Sequence, residues 1–465
     1  MVEEQPEVTP PLPDPIAFLR ENAPWLAADA LGTCIVGSSA LAIALQRRGE
    51  ARTARPVDLD LAWAPSPDDG RALLQQHGVF VPTTEGNVDR GTLAMKIGGR
   101  RIEITTLRGA NGRDLTIAER ITADLAERDM TIGAIAVELA TARVRDPHQG
   151  VDDWIARRVR PVGDAAQRVR EHAIRWLRYY RKAHELGFTI DPTIRRIDLP
   201  VAIVRELPPE AISLELRAIL GKCASPGRCL LELHEAGLLE ELSPEVARQF
   251  DGRAAGPQRW HPEVSQALHV ILALEWAVEH TRELDERDAF AVRLAVLCHD
   301  LGKGYTRSED LPSHPGHEHD GLPHVENFVD RWPGFADQRA RTLALHVCAL
   351  HLQVKQWDEL RPGTLAKMYD RYFRAKDHPI ELFALAVGAD DAGRLGNAAA
   401  GAVTQRAVRE RIEWLRAVCG GIDARALRQQ HPDVEAFRIA LHEARTRAIA
   451  AARRGDVTSP ADEPR

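Results

Sequence analysis

The residue pattern changes once along the chain, at Pro147, and this change limits the folds that the chain can adopt. Before Pro147, short apolar and β-branched segments alternate with helical stretches, which predicts an α+β domain with a mostly antiparallel sheet. After Pro147, amphipathic helical periods continue almost to the end. The predicted strands are 33–36, 57–63, 93–97, 101–107 and 132–139. The chain is therefore predicted to be α+β in its first third and all-α beyond it.

The length of the chain predicts more than one domain. With 465 residues it exceeds what one ordinary hydrophobic core can hold. A segment rich in glycine and proline at 251–257 is expected to separate two helical regions. The predicted divisions are a disordered tail at 1–14, an α+β domain at 25–145, a helical segment at 146–250, a second helical domain at 258–400, closing helices at 401–454 and a disordered tail at 455–465.

Charge and composition argue against several classes of protein. The net charge of −7 speaks against a protein that simply coats nucleic acid. The sequence lacks a run of about 18 apolar residues, so no membrane span is expected. Its acidic first residues are unlike a secretory leader. Six scattered cysteines predict reduced thiols and a cytoplasmic protein.

One segment, 157–182, is strongly basic. It holds nine arginines and lysines against two acidic residues. This local excess predicts a phosphate-contacting surface, the alternative being a solvated helix face. The apolar positions of the same segment recur at helical spacing and are predicted to face the core; they are Val169, Ala173, Trp176, Leu177, Tyr180 and Ala183.

Two aspartates in the α+β domain predict a magnesium site. Asp58 and Asp60 lie on a predicted strand, where residues two apart point to the same face. Adjacent carboxylates repel each other unless a cation lies between them, and Mg²⁺ with nucleotide phosphates suits that place. Gly37 and Ser38 end a strand and open a helix, whose N–H groups can bind phosphate. Glu103, on another predicted strand, could join the pair.

A second set of residues predicts a transition-metal site. His299 and Asp300 follow an apolar helical segment, with His269 upstream and Asp390 downstream. Imidazole and carboxylate together suit divalent first-row metals. A lone His-Asp pair more often ends a helix without binding metal, but the ordered set favours a metal site. Asp391 is an alternative ligand to Asp390.

Taken in order, these motifs resemble those of the bacterial CCA-adding family of tRNA nucleotidyltransferases and poly(A) polymerases, in the subtype with a C-terminal HD phosphohydrolase domain. The resemblance covers about residues 30 to 400. It rests on the segments 36–37, 58–60, 124–132, 146–153, 160–164, 171–175, 186–188, 260–263 and 298–304, with His314, His317 and His351. It implies a DNA polymerase β-like head, an all-α neck and body, and an all-α HD domain.

The resemblance also implies roles for single residues. Asp58 and Asp60 would bind catalytic Mg²⁺, with Glu103 beside them. The residues implied in nucleotide binding are Gly37, Ser38, Arg128, Asp129, His172, Arg175 and Arg178. The implied HD metal ligands are His269, His299, Asp300 and Asp390, with Lys303, His317 and His351 as helpers. ATP and CTP would be substrates, tRNA or another RNA 3′ end the partner, and Ni²⁺, Mn²⁺ or Mg²⁺ the HD ion. The sequence predicts no particular oligomeric state.

The head departs from the family's motifs, and three functions therefore stay open. An arginine and an acidic residue of the family's first motif are missing from 37–42, and the aspartate of its base-reading motif is His172. Neutral histidine offers one acceptor, and losing a buried hydrogen-bond partner costs about 1–3 kcal/mol. The leading hypothesis is a CCA-adding enzyme with an HD phosphodiesterase or phosphatase. The alternatives are an HD phosphohydrolase with a degenerate nucleotide- or RNA-binding head, and an A-adding, C-adding or poly(A) polymerase relative.

Overall fold

The computed structural model describes residues 14–50, 59–79, 91–109 and 114–455. The chain forms two compact units, the first from Met1–Ala183 with Gly187–Leu199 and the second from His184–Leu186 with Pro200–Arg465. The boundary between Leu199 and Pro200 falls inside the predicted helical segment 146–250. Asp58 and nearly all of the two predicted tails lie outside the described residues.

The first unit contains all the described strands. They are β1 (Cys34–Val36), β2 (Leu59–Trp63), β3 (Thr92–Ile97), β4 (Arg100–Thr106), β5 (Ala136–Glu138), β6 (Val144–Arg145), β7 (Arg158–Val159) and β8 (Thr189–Ile190). The helices that begin in this unit are α1 (Pro15–Asn22), α2 (Gly37–Arg47), α3 (Pro67–Gln76), α4 (Ile117–Ala126), α5 (Gly150–Ile155), α6 (Ala165–Glu171), α7 (Ile174–Leu186) and α8 (Pro192–Arg195).

Six strands form one sheet in the order β3-β4-β2-β1-β5-β6. Neighbouring strands are antiparallel, except that β2 and β4 run parallel. One face packs against α1, α2 and α3. The other face carries Val36 and Ala62 and packs against Ile121 and Leu125 of α4. This alternation has the period of two that strands impose, and the predicted α+β fold is confirmed.

Strands also occur beyond Pro147. The strands β7 and β8 pair in parallel, with Val159 opposite Ile190. The prediction that strands end at Pro147 is therefore wrong at this place. Each of these strands has two residues, which is too short for the alternation that reveals a strand in a sequence.

The basic segment 157–182 is only partly exposed to solvent. Its predicted core positions are buried: Val169, Ala173, Trp176, Leu177, Tyr180 and Ala183. Arg168, Arg175 and Arg181 are buried as well, so the prediction of a phosphate-contacting surface is wrong for these three. Arg168, for example, donates to the main-chain oxygen of Ala126 at 2.8 Å. Such bonds satisfy a guanidinium group that would otherwise be costly to bury.

Among its described residues, the second unit has helices and connecting loops but no strand. Its helices are α9 (Pro209–Lys222), α10 (Pro226–Glu235), α11 (Leu238–Leu242), α12 (Pro244–Ala247), α13 (Gln266–His280), α14 (Glu286–Cys298), α15 (His317–Asp320), α16 (Leu322–Arg331), α17 (Gln338–Lys355), α18 (Pro362–Met368), α19 (Ile380–Ala392), α20 (Ala398–Gly420), α21 (Ala424–Gln430) and α22 (Val434–Arg454). Among the described helices, none has the length and apolar content needed to cross a membrane.

Two helices of this unit are surrounded by other helices. Residues 289–298 of α14 and 382–390 of α19 are all buried. A helix that is apolar on all sides belongs in the interior of a domain. The start of α14 is capped by Asp285, whose carboxylate accepts from the Asp288 N–H at 2.8 Å. Because α14 ends at Cys298, the residues that follow it begin in the interior of the unit.

A buried carboxylate connects α4 with the segments on both sides of it. Asp124 is 1% exposed. It accepts from the Arg108 N–H at 3.1 Å and from Arg128 Nε and Nη2 at 3.1 and 2.8 Å. Burial alone would raise the pKa of Asp124, but the guanidinium groups of Arg128 and Arg108 outweigh burial, and the pKa lies below its ordinary value.

We expect Asp124→Asn to lower the free energy of unfolding by about 2–4 kcal/mol at pH 7, because it removes the buried partner of two arginines. The lowered pKa of the folded state means that the carboxylate stabilises the protein fully above the ordinary carboxyl pKa. This contribution is lost as the pH falls through the folded-state pKa. The difference between wild type and variant should therefore shrink below about pH 4.

Urea unfolding between pH 7 and pH 3 measures this difference. Asp198→Asn, at an exposed position of the same unit, is the control and should change stability by less than about 0.5 kcal/mol. A constant difference between wild type and Asp124→Asn across this pH range would contradict the assignment.

Candidate functional site

The first candidate site, here called the acid site, lies at the start of β2. Asp60 is in register with Val36 on β1 and with Glu103 on β4. Side chains in register on neighbouring strands point to the same face, so Asp60 and Glu103 lie side by side. Glu103 also pairs with Arg101, with Nη2 and Oε1 3.0 Å apart. The structure thus brings two of the three predicted carboxylates together, and Asp58 lies outside the described residues.

Gly37 brings the start of α2 next to Asp60. It is the first residue of α2 and has a φ of +66°. A Cβ atom at this position would lie 3.3 Å from Asp60 Oδ2. Glycine therefore permits the helix N-terminus to lie close to the carboxylate, with Ser38 exposed beside it. Helix N-termini bind phosphate through their N–H groups, and carboxylates beside phosphates suit Mg²⁺.

A second group of predicted residues surrounds the end of α4. Arg128 holds Asp124, as described above. Asp129 Oδ1 accepts from the Met130 N–H at 2.8 Å, and its Oδ2 lies 3.0 Å from Arg178 Nη1. Asp129 and Arg178 were predicted as separate nucleotide-binding residues, and the structure joins them in one ion pair between the end of α4 and α7.

Arg175 and His172 differ in how far they are available to a ligand. Arg175 is buried and donates to Glu171 Oε2 at 2.7 Å and to the main-chain oxygen of Glu127 at 2.6 Å. Its guanidinium group therefore fixes α7 against the end of α4. His172 is exposed between α6 and α7. Partial burial and the neighbouring Arg175 lower the pKa of His172, so its ring is neutral at pH 7 and offers one acceptor.

The second candidate site, here called the histidine site, gathers buried residues from three helices of the second unit. His269 lies on α13, His299 and Asp300 follow α14, and Asp390 lies on α19. The Nε2 atoms of His269 and His299 are 3.4 Å apart. Asp390 Oδ1 lies 3.4 and 3.8 Å from these two atoms, and Asp300 Oδ2 lies 3.1 Å from His299 Nε2. The structure brings the four predicted ligands together.

In His269 and His299, the hydrogen bond made by Nδ1 determines that Nε2 is the nitrogen left to bind a ligand. His269 Nδ1 lies 3.1 Å from Glu263 Oε1, and His299 Nδ1 lies 2.6 Å from the main-chain oxygen of Val296. Carboxylate and carbonyl oxygens only accept, so each Nδ1 carries the proton. Both Nε2 lone pairs then point at the space next to Asp390. Acceptor atoms that converge in this way fit a divalent cation.

Glu263 belongs to the histidine site, although the sequence assigned it no role. It is buried and accepts from His261 Nδ1 at 2.7 Å and from His269 Nδ1 at 3.1 Å. Burial opposes its ionisation, but the hydrogen bonds from His261 and His269 hold the pKa of Glu263 below its ordinary range. A carboxylate behind a metal-binding imidazole fixes the ring and its tautomer.

Two lysines contact the carboxylates of the histidine site. Lys303, one of the predicted helpers, has its Nζ 2.7 Å from Asp300 Oδ2. Lys355, which was not predicted, lies 2.5 Å from Asp390 Oδ2 and 3.1 Å from Asp391 Oδ1. Lys355 lies on α17 four residues, or about one helical turn, after the predicted helper His351. This spacing was the signal in the sequence that could have revealed Lys355. Asp391 also pairs with Arg394, at 3.2 Å. Only Asp390 of the two has an oxygen beside an imidazole, with Oδ1 3.4 Å from His269 Nε2.

The two remaining predicted helpers face the other oxygen of Asp300. His317 Nε2 lies 3.1 Å and His351 Nε2 lies 3.6 Å from Asp300 Oδ1. Gly302 makes this approach possible, because a Cβ there would lie 2.1 Å from the main-chain oxygen of His317. Any side chain at this position would push α15 away. A cavity of about 100 Å³ reaches these residues and Lys303.

Electrostatics of the histidine site favour charged carboxylates. Burial opposes this, but His299 and Lys303 hold the pKa of Asp300 well below its ordinary value, and Lys355 and His269 do the same for Asp390. Burial lowers the pKa of His351 to about 3. At His269, contacts with Asp390 and Glu263 outweigh burial and raise the pKa. A proton therefore competes with a metal ion for His269, and metal affinity should fall at low pH.

Several known proteins are similar to this chain. Residues 48–160 match the model of the poly A polymerase head domain. A multifunctional CCA protein of Halorhodospira halophila is 34% identical over 377 residues, which are 78% of this chain and 85% of that protein. One from Xanthomonas euvesicatoria is 36% identical over 338 residues, 71% of this chain and 78% of that protein. The crystal structure of the Bacillus stearothermophilus CCA-adding enzyme in complex with CTP has the same fold, with a TM-score of 0.61, 20% identity, and coverage of 98% of this chain and 95% of that one.

We expect Glu263→Gln to weaken Ni²⁺ binding at the histidine site about 10–100-fold, because the carboxamide is a poorer acceptor for the Nδ1–H of His269. Ni²⁺ is a suitable probe because it prefers imidazole ligands. The histidine site offers imidazoles, whereas the predicted ligands of the acid site are carboxylates. Isothermal titration calorimetry measures the change. Glu279→Gln, at an exposed position of α13, is the control. Equal Ni²⁺ affinity in both variants would show that Glu263 does not orient His269.

Proposed function

Because this chain belongs to the family of multifunctional CCA proteins, we propose that it is a tRNA nucleotidyltransferase that adds CCA, or part of it, to RNA 3′ ends. We also propose that its second unit hydrolyses phosphate esters. The observation that carries the transferase proposal is the acid site, where Asp60 and Glu103 lie in register beside Gly37 at the start of α2. Carboxylates next to a helix N-terminus are what a magnesium–triphosphate complex requires.

At the acid site, Asp58 and Asp60 would hold Mg²⁺, with Glu103 as a third carboxylate. Mg²⁺ supplies activation of the attacking hydroxyl and binding of the triphosphate. The N–H groups at Gly37 and Ser38 would bind phosphate oxygens. The 3′ oxygen of the RNA forms the new bond to the α-phosphate, and the bond to the pyrophosphate breaks. The substrates are ATP and CTP.

We assign binding of the nucleotide base to the residues around the end of α4. Arg128 and Asp129 position that end, and Arg178 completes the ion pair with Asp129. Arg175 supports the same region from the interior, and exposed His172 is the residue next to it. His172 offers one acceptor where a carboxylate would offer two oxygens.

At the histidine site, a divalent ion would be held by His269, His299, Asp300 and Asp390. Ni²⁺, Mn²⁺ or Mg²⁺ there supplies Lewis-acid polarisation of a phosphate ester. Lys303 adds positive charge beside the cavity. The cavity of about 100 Å³ suits a phosphate group better than a whole nucleotide. We therefore propose a phosphodiesterase or phosphatase acting on the 2′,3′-cyclic phosphate or 2′-phosphate of a nucleotide.

Replacing Asp58 and Asp60 together by Asn should reduce nucleotide incorporation by about 10³-fold or more, since the ligands of the catalytic ions are lost. The assay offers tRNA transcripts that end at the discriminator base, at C or at CC to the protein, with ATP or CTP alone and with both. Product length distinguishes CCA addition from C or A addition. Asp198→Asn is the control and should incorporate as wild type does. Unchanged incorporation by the double variant would refute the assignment of the acid site.

His299→Ala should abolish Ni²⁺-dependent hydrolysis of nucleoside 2′,3′-cyclic phosphates and leave nucleotide incorporation intact, because it removes a ligand of the histidine site only. His280→Ala, at an exposed position of α13, should hydrolyse the same esters at the wild-type rate. Phosphate or nucleotide release, followed by chromatography, measures the activity. Hydrolysis that persists in His299→Ala would contradict the proposed phosphohydrolase, and hydrolysis without incorporation in the wild type would favour the degenerate-head alternative.

A further inference from the structure

We propose that a second cavity of the second unit, here called the arginine cavity, binds a nucleoside monophosphate through its phosphate group and its planar base. The residues that define the arginine cavity are Arg287, Arg339, His346, Arg371, Arg374 and His378. They are different from the residues of the acid site and of the histidine site. The proposal therefore does not rest on either of the proposed reactions.

The size of the arginine cavity fits one small organic ligand. Its volume is about 640 Å³, and sites for small molecules and cofactors are typically about 300–1,000 Å³. The cavity beside the histidine site, at about 100 Å³, is much smaller. A bare phosphate ion would fill only a small part of the arginine cavity, so the ligand is expected to carry a larger group as well.

Two arginines of the cavity are already held by carboxylates. Arg287 Nε donates to Asp337 Oδ2 at 2.6 Å, and Arg339 Nη2 donates to Asp288 Oδ2 at 2.9 Å. These ion pairs connect the start of α14 with the start of α17. Arg287 and Arg339 therefore form a fixed wall of the cavity.

The other two arginines are available to a ligand. Arg371 and Arg374 are exposed, and neither forms an ion pair within the part of the chain that the structure describes. Of the carboxylates that line the cavity, Asp370 is paired with Arg445, whereas Asp377 is exposed. Two guanidinium groups against one carboxylate leave an excess of positive charge. The planar fork of an arginine binds phosphate oxygens with two parallel hydrogen bonds.

The helix changes its hydrogen-bond spacing where it borders the cavity. Directly after α18, residues Tyr369–Phe373 form one π-helical turn. Such turns are rare and are frequent at functional sites. Arg371 and Tyr372 are consecutive in this turn, and both line the cavity.

Tyr372 gives the cavity an aromatic surface between its charged and its neutral parts. The guanidinium carbon of Arg371 lies 5.1 Å from the centre of the Tyr372 ring, and the His346 ring centre lies 4.9 Å from it. Aromatic side chains pack well against planar rings, and bases stack on them with little dependence on base identity. A base beside Tyr372 would thus leave the phosphate next to Arg371.

Two imidazoles supply uncharged polar groups to the same cavity. His346 Nδ1 lies 3.2 Å from His378 Nε2, so one ring can donate to the other. Burial and Arg371 lower the pKa of His346 to about 4, and burial and His346 do the same for His378. Both rings are therefore neutral at pH 7. Among the described residues, the buried His378 Nδ1 has no hydrogen-bond partner, and a polar group of a base or ribose would provide one.

Isothermal titration calorimetry of the full-length chain with 5′-AMP, GMP, CMP and UMP tests the proposal. EDTA is present because the acid site and the histidine site, as proposed, both need a divalent ion. We expect at least one nucleotide to bind. Arg371→Ala combined with Arg374→Ala should weaken its binding about 100-fold or more, because two charge-assisted contacts to the phosphate are lost. Arg406→Ala with Arg425→Ala removes the same charge at exposed positions outside the cavity and should bind as wild type does.

Tyr372→Leu tests recognition of the base. It should weaken nucleotide binding about 10-fold, because stacking is lost, and leave the weaker binding of ribose 5-phosphate unchanged. Equal affinity of the wild type for ribose 5-phosphate and the nucleotide would refute recognition of the base. Failure of all four nucleotides to bind, or equal weakening in the control double variant, would overturn the proposal. Loss of tRNA transcript binding in the arginine double variant, without nucleotide binding in the wild type, would assign the surface to RNA instead.

Discussion

Burial of two carboxylates inside an all-helical core is the constraint on which the second unit depends. Asp300 follows α14 and Asp390 lies on α19, and both helices are surrounded by others. A buried carboxylate is strongly destabilising unless cations and hydrogen-bond donors lie next to it. The positions of Lys303 and Lys355 and of the surrounding imidazoles follow from this requirement. The arrangement that keeps the core stable is also the arrangement that can hold metal.

The acid site of the first unit meets a different requirement. Asp60 and Glu103 lie at a half-buried place on the sheet, beside the N-terminus of α2. A nucleoside triphosphate is large and must enter and leave with each addition, and the side chains of Asp60 and Glu103 are partly exposed. The histidine site is formed by buried residues beside a cavity of about 100 Å³. Its size suits a phosphate group presented by a larger substrate. The carboxylates of the two sites therefore differ in burial, those of the histidine site being the more deeply buried.

Many arginines of the first unit hold the structure together. Arg128 and Arg108 neutralise Asp124, and Arg175 binds the main chain at the end of α4. Within the basic segment 157–182, the bonds of Arg168 and Arg175 to main-chain oxygens show how buried guanidinium groups are accommodated. They also connect the end of α4 with exposed His172, because Arg175 is three residues further along the chain.

Periodicity in the sequence determined the fold class and the order of the sites. Alternation with a period of two located the main strands, and helical periods predicted the rest, because both depend on neighbouring residues. The two-residue strands β7 and β8 were missed since they are too short to show a period. The His-Asp motif and its distant partners were found by residue type and order, and the structure brought all of them together.

Only the tertiary structure decided which groups face each other. Glu263 behind His269, Lys355 against Asp390, and the burial of Arg168 and Arg175 depend on how helices pack. A period along one helix carries no information about the neighbour that it contacts. The same holds for Asp300, whose two oxygens face different imidazoles because Gly302 lets α15, with His317, approach closely. The sequence by itself determined which ligands exist, and helix packing decided how they are shared.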